Sequence, residues 1–164
     1  MKETPSQLPI QSYVMNFPHT FSTNDPNNIW MKEMSEKELT INRPKAYKQF
    51  MDLYNFMAGQ SLVHLLPAEG NFQDLIYVAN LGLHLPHICK ENHILLSNYT
   101  SPPRQGEEFV GEQFFNQLGY KTHISPYKWE GEADIKYLND NVYIGGFGIR
   151  SDIQTYHWME ENFD

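Results

Sequence analysis

Acidic and basic residues stand where apolar runs of this chain end. Asp74 precedes Leu-Ile-Tyr-Val-Ala, and Asn80 follows it. Arg104 lies in SPPRQGEE, just ahead of a helix-forming run. Glu130 and Glu132 sit in KWEGEAD with Asp134 two residues on, and Arg150 follows the glycine-rich GGFGI. In α/β proteins, sites gather at strand ends and the loops beyond them. A carboxylate holds a guanidinium or ammonium through charge-assisted hydrogen bonds, and arginine clamps a carboxylate. This mixture suits a zwitterionic ligand. Each residue also has a purely structural reading. Asp74 can cap a turn, Asn80 can be a turn residue, Glu130 and Glu132 can be solvated hairpin charges, and Arg150 can steady the helix that begins beside it. Spacing alone leaves both readings open.

A second group, His84, His87, Cys89 and His93 in HLPHICKENH, offers imidazoles and a thiol, which are good zinc ligands. Its spacing matches no standard zinc module, and Pro86 interrupts any helix that would align the histidines. The expectation is a surface hairpin with a buried cysteine and no metal. GGFG lacks the Lys-Ser/Thr and the glycine spacing of a phosphate loop. Methionine and aromatic residues along the helical runs read as core packing. No Ser-His-Asp arrangement stands out.

The elements that must position these residues alternate between strand and helix. Residues 12–16 (SYVMN) predict a short strand, and a loop rich in Pro, Asn, Thr and His follows from Phe17 to Asn28. Pro44 opens a helix whose apolar residues Ala46, Tyr47, Phe50, Leu53, Tyr54 and Met57 keep helical spacing, with Gly59 to close it. SLVHLL predicts a buried strand ending at Pro67. The same succession recurs: a helix over 105–118 with acidic residues in its first turn, Gly119, a strand in YKTHIS, and Pro126. LIYVAN and HILLSN, between the copies, both read as strands. ADIKYL and NVYIGGF predict a hairpin through residues 139–141, and a third helix starts at Ser151-Asp152. By the repeat, a glycine and a strand are due next. The alternatives are a repeat architecture left open on one side, or a complete three-unit α/β domain that ends in a helix.

Composition excludes several classes. The chain has 164 residues, 40% hydrophobic, 14% aromatic and 20% charged, enough for a cored α/β domain over 12–164 behind a loose tail at 1–11, and too apolar for disorder. A net charge of -8 with three arginines argues against nucleic acid. No run reaches the ~20 apolar residues of a membrane span, and no signal or transit pattern opens the chain. A single cysteine fits a reducing, cytoplasmic setting.

The motifs YVMNFPHTFSTNDPNNIWM, QDLIYVANLG, PPRQGEE, WEGEADIKY and YIGGFGIRSD, in this order, resemble the amidinotransferase and guanidino-hydrolase superfamily, the penteins. That superfamily includes dimethylarginine dimethylaminohydrolase and arginine deiminase or dihydrolase relatives. The resemblance runs from about Tyr13 to the end. It implies an α/β propeller of five ββαβ-type modules around a central substrate, of which this chain spans about two and a half. It implies that Asp74 holds the substrate guanidinium, that Glu130 is a second, catalytic carboxylate, and that Arg104 and Arg150 grip the substrate carboxylate. It further implies that Asn80 influences the chemistry, that Asn28 and Phe21 belong to a lid, and that Glu132 supplements Glu130. No cofactor or metal is implied.

Hydrolysis in the family uses a cysteine nucleophile, which forms a thiouronium, and a histidine that moves protons. Both come later in relatives than this sequence extends. Cys89 and His157 do not match their positions, and Ala133 stands where glycine is usual. The resulting expectation is the N-terminal half of a guanidino-modifying hydrolase of arginine or dimethylarginine type, inactive alone. It would bind a small cationic guanidino substrate and be completed by a second chain or a homo-oligomer. The alternatives are an amidinotransferase fragment or a non-catalytic pentein-derived binding domain.

Overall fold

The computed structural model describes residues 10–88 and 92–163. Within these it forms two compact units, one of residues 10–78 and 101–104, the other of residues 79–88, 92–100 and 105–163. The expected N-terminal tail lies outside the described residues apart from residues 10 and 11. Cys89 lies outside them as well.

In the first unit, β1 (Ser12–Asn16) pairs in parallel with β2 (Leu62–Leu66), Ser12 opposite Leu62 and Asn16 opposite Leu66. Parallel neighbours need a crossover connection. Here it comprises α1 (Ile29–Glu33), α2 (Glu36–Leu39) and α3 (Arg43–Ala58). The first two helices are additional to the elements read from the sequence, and their local chemistry accounts for them. The Asn28 side chain accepts the Met31 N–H at 2.9 Å. Glu38 reaches back to the Ser35 N–H at 2.9 Å, as a capping box does. α3 begins where expected: Asn42 accepts the Lys45 N–H at 3.0 Å, with Pro44 in the first turn. Gly59 caps its end in the right-handed region at φ -70°, so the left-handed freedom of glycine is not used there. Phe17, just past β1, packs its ring on Tyr47 and Phe50 of α3 at 4.7 and 5.1 Å.

Two expectations are corrected in this stretch. The strand in SLVHLL forms but is not buried: Leu66 is at 2% exposure, whereas Leu62 and Leu65 are at 45% and 48%. Among the described residues β2 pairs only with β1, so little covers it. LIYVAN is not a strand. The Asp74 carbonyl accepts the Tyr77 N–H at 2.9 Å, closing a turn, and Val78–Asn80 form a single 3₁₀ turn. A short apolar run has the same periodicity whichever it becomes, and Leu75 is buried at 1% without a sheet.

The second unit carries a three-stranded sheet. β3 (Gly82–His84) runs antiparallel to β4 (His93–Leu96), and β4 runs parallel to β5 (Lys121–Ile124) through α4 (Glu107–Gln117). Gly119 ends that crossover helix at φ +84°, the left-handed conformation that its position calls for. β6 (Ile135–Asn139) and β7 (Val142–Gly145) form the expected hairpin, with Asp140 at φ 48° in its turn. α5 (Ile153–Phe163) follows, approaching so closely that a Cβ on Gly145 would lie 2.9 Å from the Tyr156 ring. Leu83, Leu85, Leu95, Trp129, Ile135, Met159 and Phe163 make the core. No helix among the described residues is long and apolar enough to cross a membrane.

Candidate functional site

Asp74 sits in the turn after β2, 5% exposed. One of its oxygens, Oδ2, accepts the side-chain amides of Asn27 and Gln73, the latter at 3.3 Å. Arg104, itself buried, is on the 3₁₀ turn Pro102–Arg104, and its guanidinium reaches the Asp74 carbonyl at 3.5 Å. Burial pushes the Asp74 carboxyl above the ordinary range, against the opposing pull of the Gln73 hydrogen bond, the Arg104 charge and the Asn27 hydrogen bond. Phe21 is held edge-on against Tyr77 with ring centroids 6.2 Å apart. The Tyr77 hydroxyl is raised by burial first, and then by the Asp74 charge. Asn28 spends its carbonyl oxygen on capping α1 and donates its amide to Asn27 Oδ1 at 3.2 Å.

Glu130 is built differently. Trp129, wholly buried, donates its indole N–H to the Leu96 carbonyl at 2.8 Å and exchanges backbone bonds with Asn98. This ties the residue before Glu130 to the end of β4. Gly131, the residue after it, has φ +62°, and a Cβ there would lie 2.7 Å from the Asn80 carbonyl carbon and oxygen. The Asn80 carbonyl also accepts the Ser97 and Tyr99 hydroxyls. So held, the Asn80 amide donates to Glu130 Oε2 at 3.3 Å. Asn80 and Glu130, expected as site residues from separate motifs, are therefore hydrogen-bonded.

Arg150 and Glu132 have other company. Arg150 pairs with Asp134 at 2.5 Å with about half its side chain exposed. Asp134 also accepts the Ser151 hydroxyl at 2.6 Å, and the Ser151 oxygen accepts the Glu130 N–H at 3.3 Å. Glu132 forms an exposed pair with Lys136 at 3.1 Å. The histidines of HLPHICKENH serve packing and hydrogen bonding. His93 and His123 share a bond at 2.9 Å. His87 bonds Tyr143 at 2.7 Å and the Phe163 carbonyl at 2.5 Å. Among the described residues no group of three or more His, Cys, Asp or Glu is arranged to hold a metal ion.

No protein-family model matches the chain. It is 26% identical over 140 residues to the bifunctional arginine dihydrolase/ornithine cyclodeaminase AgrE of Nostoc sp., covering 84% of this chain and 19% of that protein. It is 24% identical over 142 residues to the N(G),N(G)-dimethylarginine dimethylaminohydrolase of Mycobacterium tuberculosis, covering 85% and 43%. Its fold superposes on the crystal structure of a Cys-to-Ala variant of AgrE with L-arginine at a TM-score of 0.76 and 25% identity, over 89% of this chain and 21% of that one. The chain resembles the N-terminal part of the penteins. It spans about a fifth of the first relative's length and under half of the second's.

Within this mixed α/β pentein-like fold, sequence reasoning missed Asn27 and Gln73, which hold Asp74, and Ser151, which links Glu130 to Asp134. The first two flank residues already singled out, Asn28 and Asp74. An amide beside a candidate carboxylate is the signal that was available. In the sequence Ser151 reads as a helix cap, and only the fold turns its hydroxyl toward Asp134 and Glu130.

Proposed function

We propose that this chain is the guanidino-binding part of a hydrolase of the arginine or dimethylarginine type, with Asp74 and Glu130 as the carboxylates that receive the guanidinium. The observation that carries this reading is the state of Asp74. It is a buried carboxylate with one oxygen occupied by two amide donors and a buried arginine beside its backbone, in a chain related to arginine-acting enzymes. A guanidinium adds positive charge and further N–H groups that such a carboxylate can accept. Arg104 and Arg150 take the substrate carboxylate in this reading. Asn80 orients Glu130, and Phe21 and Asn28 act from the lid loop.

The hydrolase reading is preferred to amidinotransfer because the relatives described above are a dihydrolase and a dimethylaminohydrolase. In that chemistry a thiolate adds to the guanidino carbon, the C–N bond to the departing amine breaks as a proton is delivered to its nitrogen, and water then hydrolyses the thiouronium to a ureido group, restoring the thiol. In the family that the chain resembles, that nucleophile is expected elsewhere than at Cys89, the single cysteine of this sequence. We therefore assign binding to this chain, and turnover to its combination with a segment or second chain bearing the cysteine and histidine. Titration calorimetry with L-arginine tests the assignment. The wild-type chain should give a saturable heat, and Asp74→Ala should weaken it at least about tenfold, as loss of a charge-assisted contact predicts. Identical heats for the two proteins would refute it.

A further inference from the structure

The 17–28 loop contains no helix or strand, yet side chains fix it to the rest of its unit at several points. Arg43 donates to the His19 carbonyl at 2.9 Å, and Thr20 donates to the Phe72 carbonyl at 2.8 Å. The Gln73 contact is of a different kind. The residue is 2% exposed, and its carboxamide pairs both ways with one loop residue. Oε1 accepts the Asp25 N–H at 3.1 Å, and Nε2 donates to the Asp25 carbonyl at 2.8 Å. That is the bonding a neighbouring strand would supply, delivered by one side chain. The same Nε2 also reaches Asp74 Oδ2 at 3.3 Å. Two residues along the loop from Asp25, Asn27 donates to that same Oδ2. Both donors thus converge on one oxygen of Asp74, and Oδ1 accepts no hydrogen bond from the described residues.

We propose that Gln73 and Asn27 are positioning residues that fasten the 17–28 loop to Asp74 and fix its carboxylate with Oδ2 occupied, so that a guanidinium is received at Oδ1. This deepens the guanidino-binding reading and rests on it for the identity of the ligand. The fastening itself is a property of the free protein. The loop and the carboxylate share one group of bonds through Gln73 and Asn27, so loosening the loop at residues 25–27 loosens the hold on Asp74. A buried amide with both its polar atoms used is costly to replace, because an apolar substitute leaves the Asp25 N–H and carbonyl without partners.

The test uses the full chain in three measurements. Amide hydrogen exchange without ligand should show residues 17–28 opening at least about tenfold more readily in Gln73→Leu than in wild type, while α3 keeps its protection. Equal loop protection would overturn the fastening. Asn27 is less buried, so Asn27→Ala serves if Gln73→Leu does not fold. An NMR titration of the Asp74 carboxyl should move upward in Asn27→Ala, because a donor that favours the ionised form is gone. An unmoved titration would overturn the fixing of the carboxylate. Calorimetry with L-arginine should show Asn27→Ala binding about fivefold more weakly, in the range of one hydrogen bond. Tighter binding would mean that Asn27 competes with the ligand, and would overturn the positioning role. If wild type binds no arginine, the guanidino reading fails, and the exchange and titration results still decide the fastening.

Discussion

Asp74 and Glu130 are both buried carboxyls, at 5% and 8% exposure, but they are held by different means. The donors on Asp74 are side-chain amides, one from an irregular loop and one from the adjacent residue. Glu130 sits between Trp129, locked to β4 and its continuation, and Gly131, pressed on the Asn80 backbone. The first arrangement can open when a loop moves. The second can change only if the core of its unit changes. Two acidic residues of similar burial therefore offer one adjustable contact and one fixed contact.

The largest expected effect sets this contrast in glycines. Gly131→Ala puts a methyl group 2.7 Å from backbone atoms of Asn80 at φ +62°. Backbone cannot give way, so destabilisation of about 3 kcal/mol or more is expected. Gly70, in the Asp74 unit, has a similar φ of +63°, but its added Cβ would meet the Phe72 ring at 3.0 Å. A ring can shift, so Gly70→Ala should cost only about 1–2 kcal/mol, the left-handed penalty. Denaturant midpoints of the two variants measure the difference. Equal losses would erase the distinction between a fixed and an adjustable site.

Next in size is a pair of opposite pH responses. Burial holds the Asp74 carboxyl above its ordinary range. The stability that its protonated form contributes is full below the unfolded pKa and is lost as pH rises through the higher folded value. Asp74→Asn, which keeps an oxygen for the Asn27 and Gln73 donors, should therefore be more resistant to urea than wild type at pH 7. That advantage should fade below about pH 4. His84 in the other unit behaves conversely: burial, then the charges of His87 and His93, lower its pKa. Its stabilising contribution is full above the unfolded value and is lost as pH falls through the lower folded one. His84→Gln should therefore flatten the loss of stability between about pH 6.5 and pH 5 that wild type shows. Amide exchange read separately over residues 62–78 and 82–96 would show whether the two slopes belong to their own regions.

These responses rest on environments that the sequence showed unevenly. The strand at 12–16, the long helix after Asn42, α4, the β6–β7 hairpin and α5 were legible, because caps, glycines and apolar periodicity agree there. LIYVAN misled because a short apolar run is buried equally well as a strand or as a turn. The exposure of β2 could not be read, since burial depends on neighbours in space. Within the candidate site, Asp74, Arg104, Asn80 and Glu130 stand out by their places at the ends of apolar runs, and the motif resemblance is what supplies their expected roles. What spacing could not reveal was the partner of each: that Asn80 bonds Glu130, that Arg150 pairs with Asp134, or that Gln73 and Asn27 hold Asp74. Residue type announces what a group can bond, and only the fold selects which bond it makes.

The smallest expected effect separates two glutamates that the sequence placed together. Glu132 is paired with Lys136 at 3.1 Å, and its side chain is 49% exposed. An exposed pair of this kind contributes at most about 1 kcal/mol, and often nothing measurable. Its carboxylate is also already hydrated, so a guanidinium gains little by exchanging water for it. Glu130 is buried, and the Asn80 amide orients one of its oxygens, so a cation placed on it meets a held and poorly solvated carboxyl group. Glu132→Gln should then change L-arginine affinity by less than about twofold, while Glu130→Gln should weaken it at least about tenfold. Comparable losses in the two variants would show that the KWEGEAD loop rearranges on binding to present both carboxylates. That outcome would also end the description of Glu130 as the fixed contact of the pair.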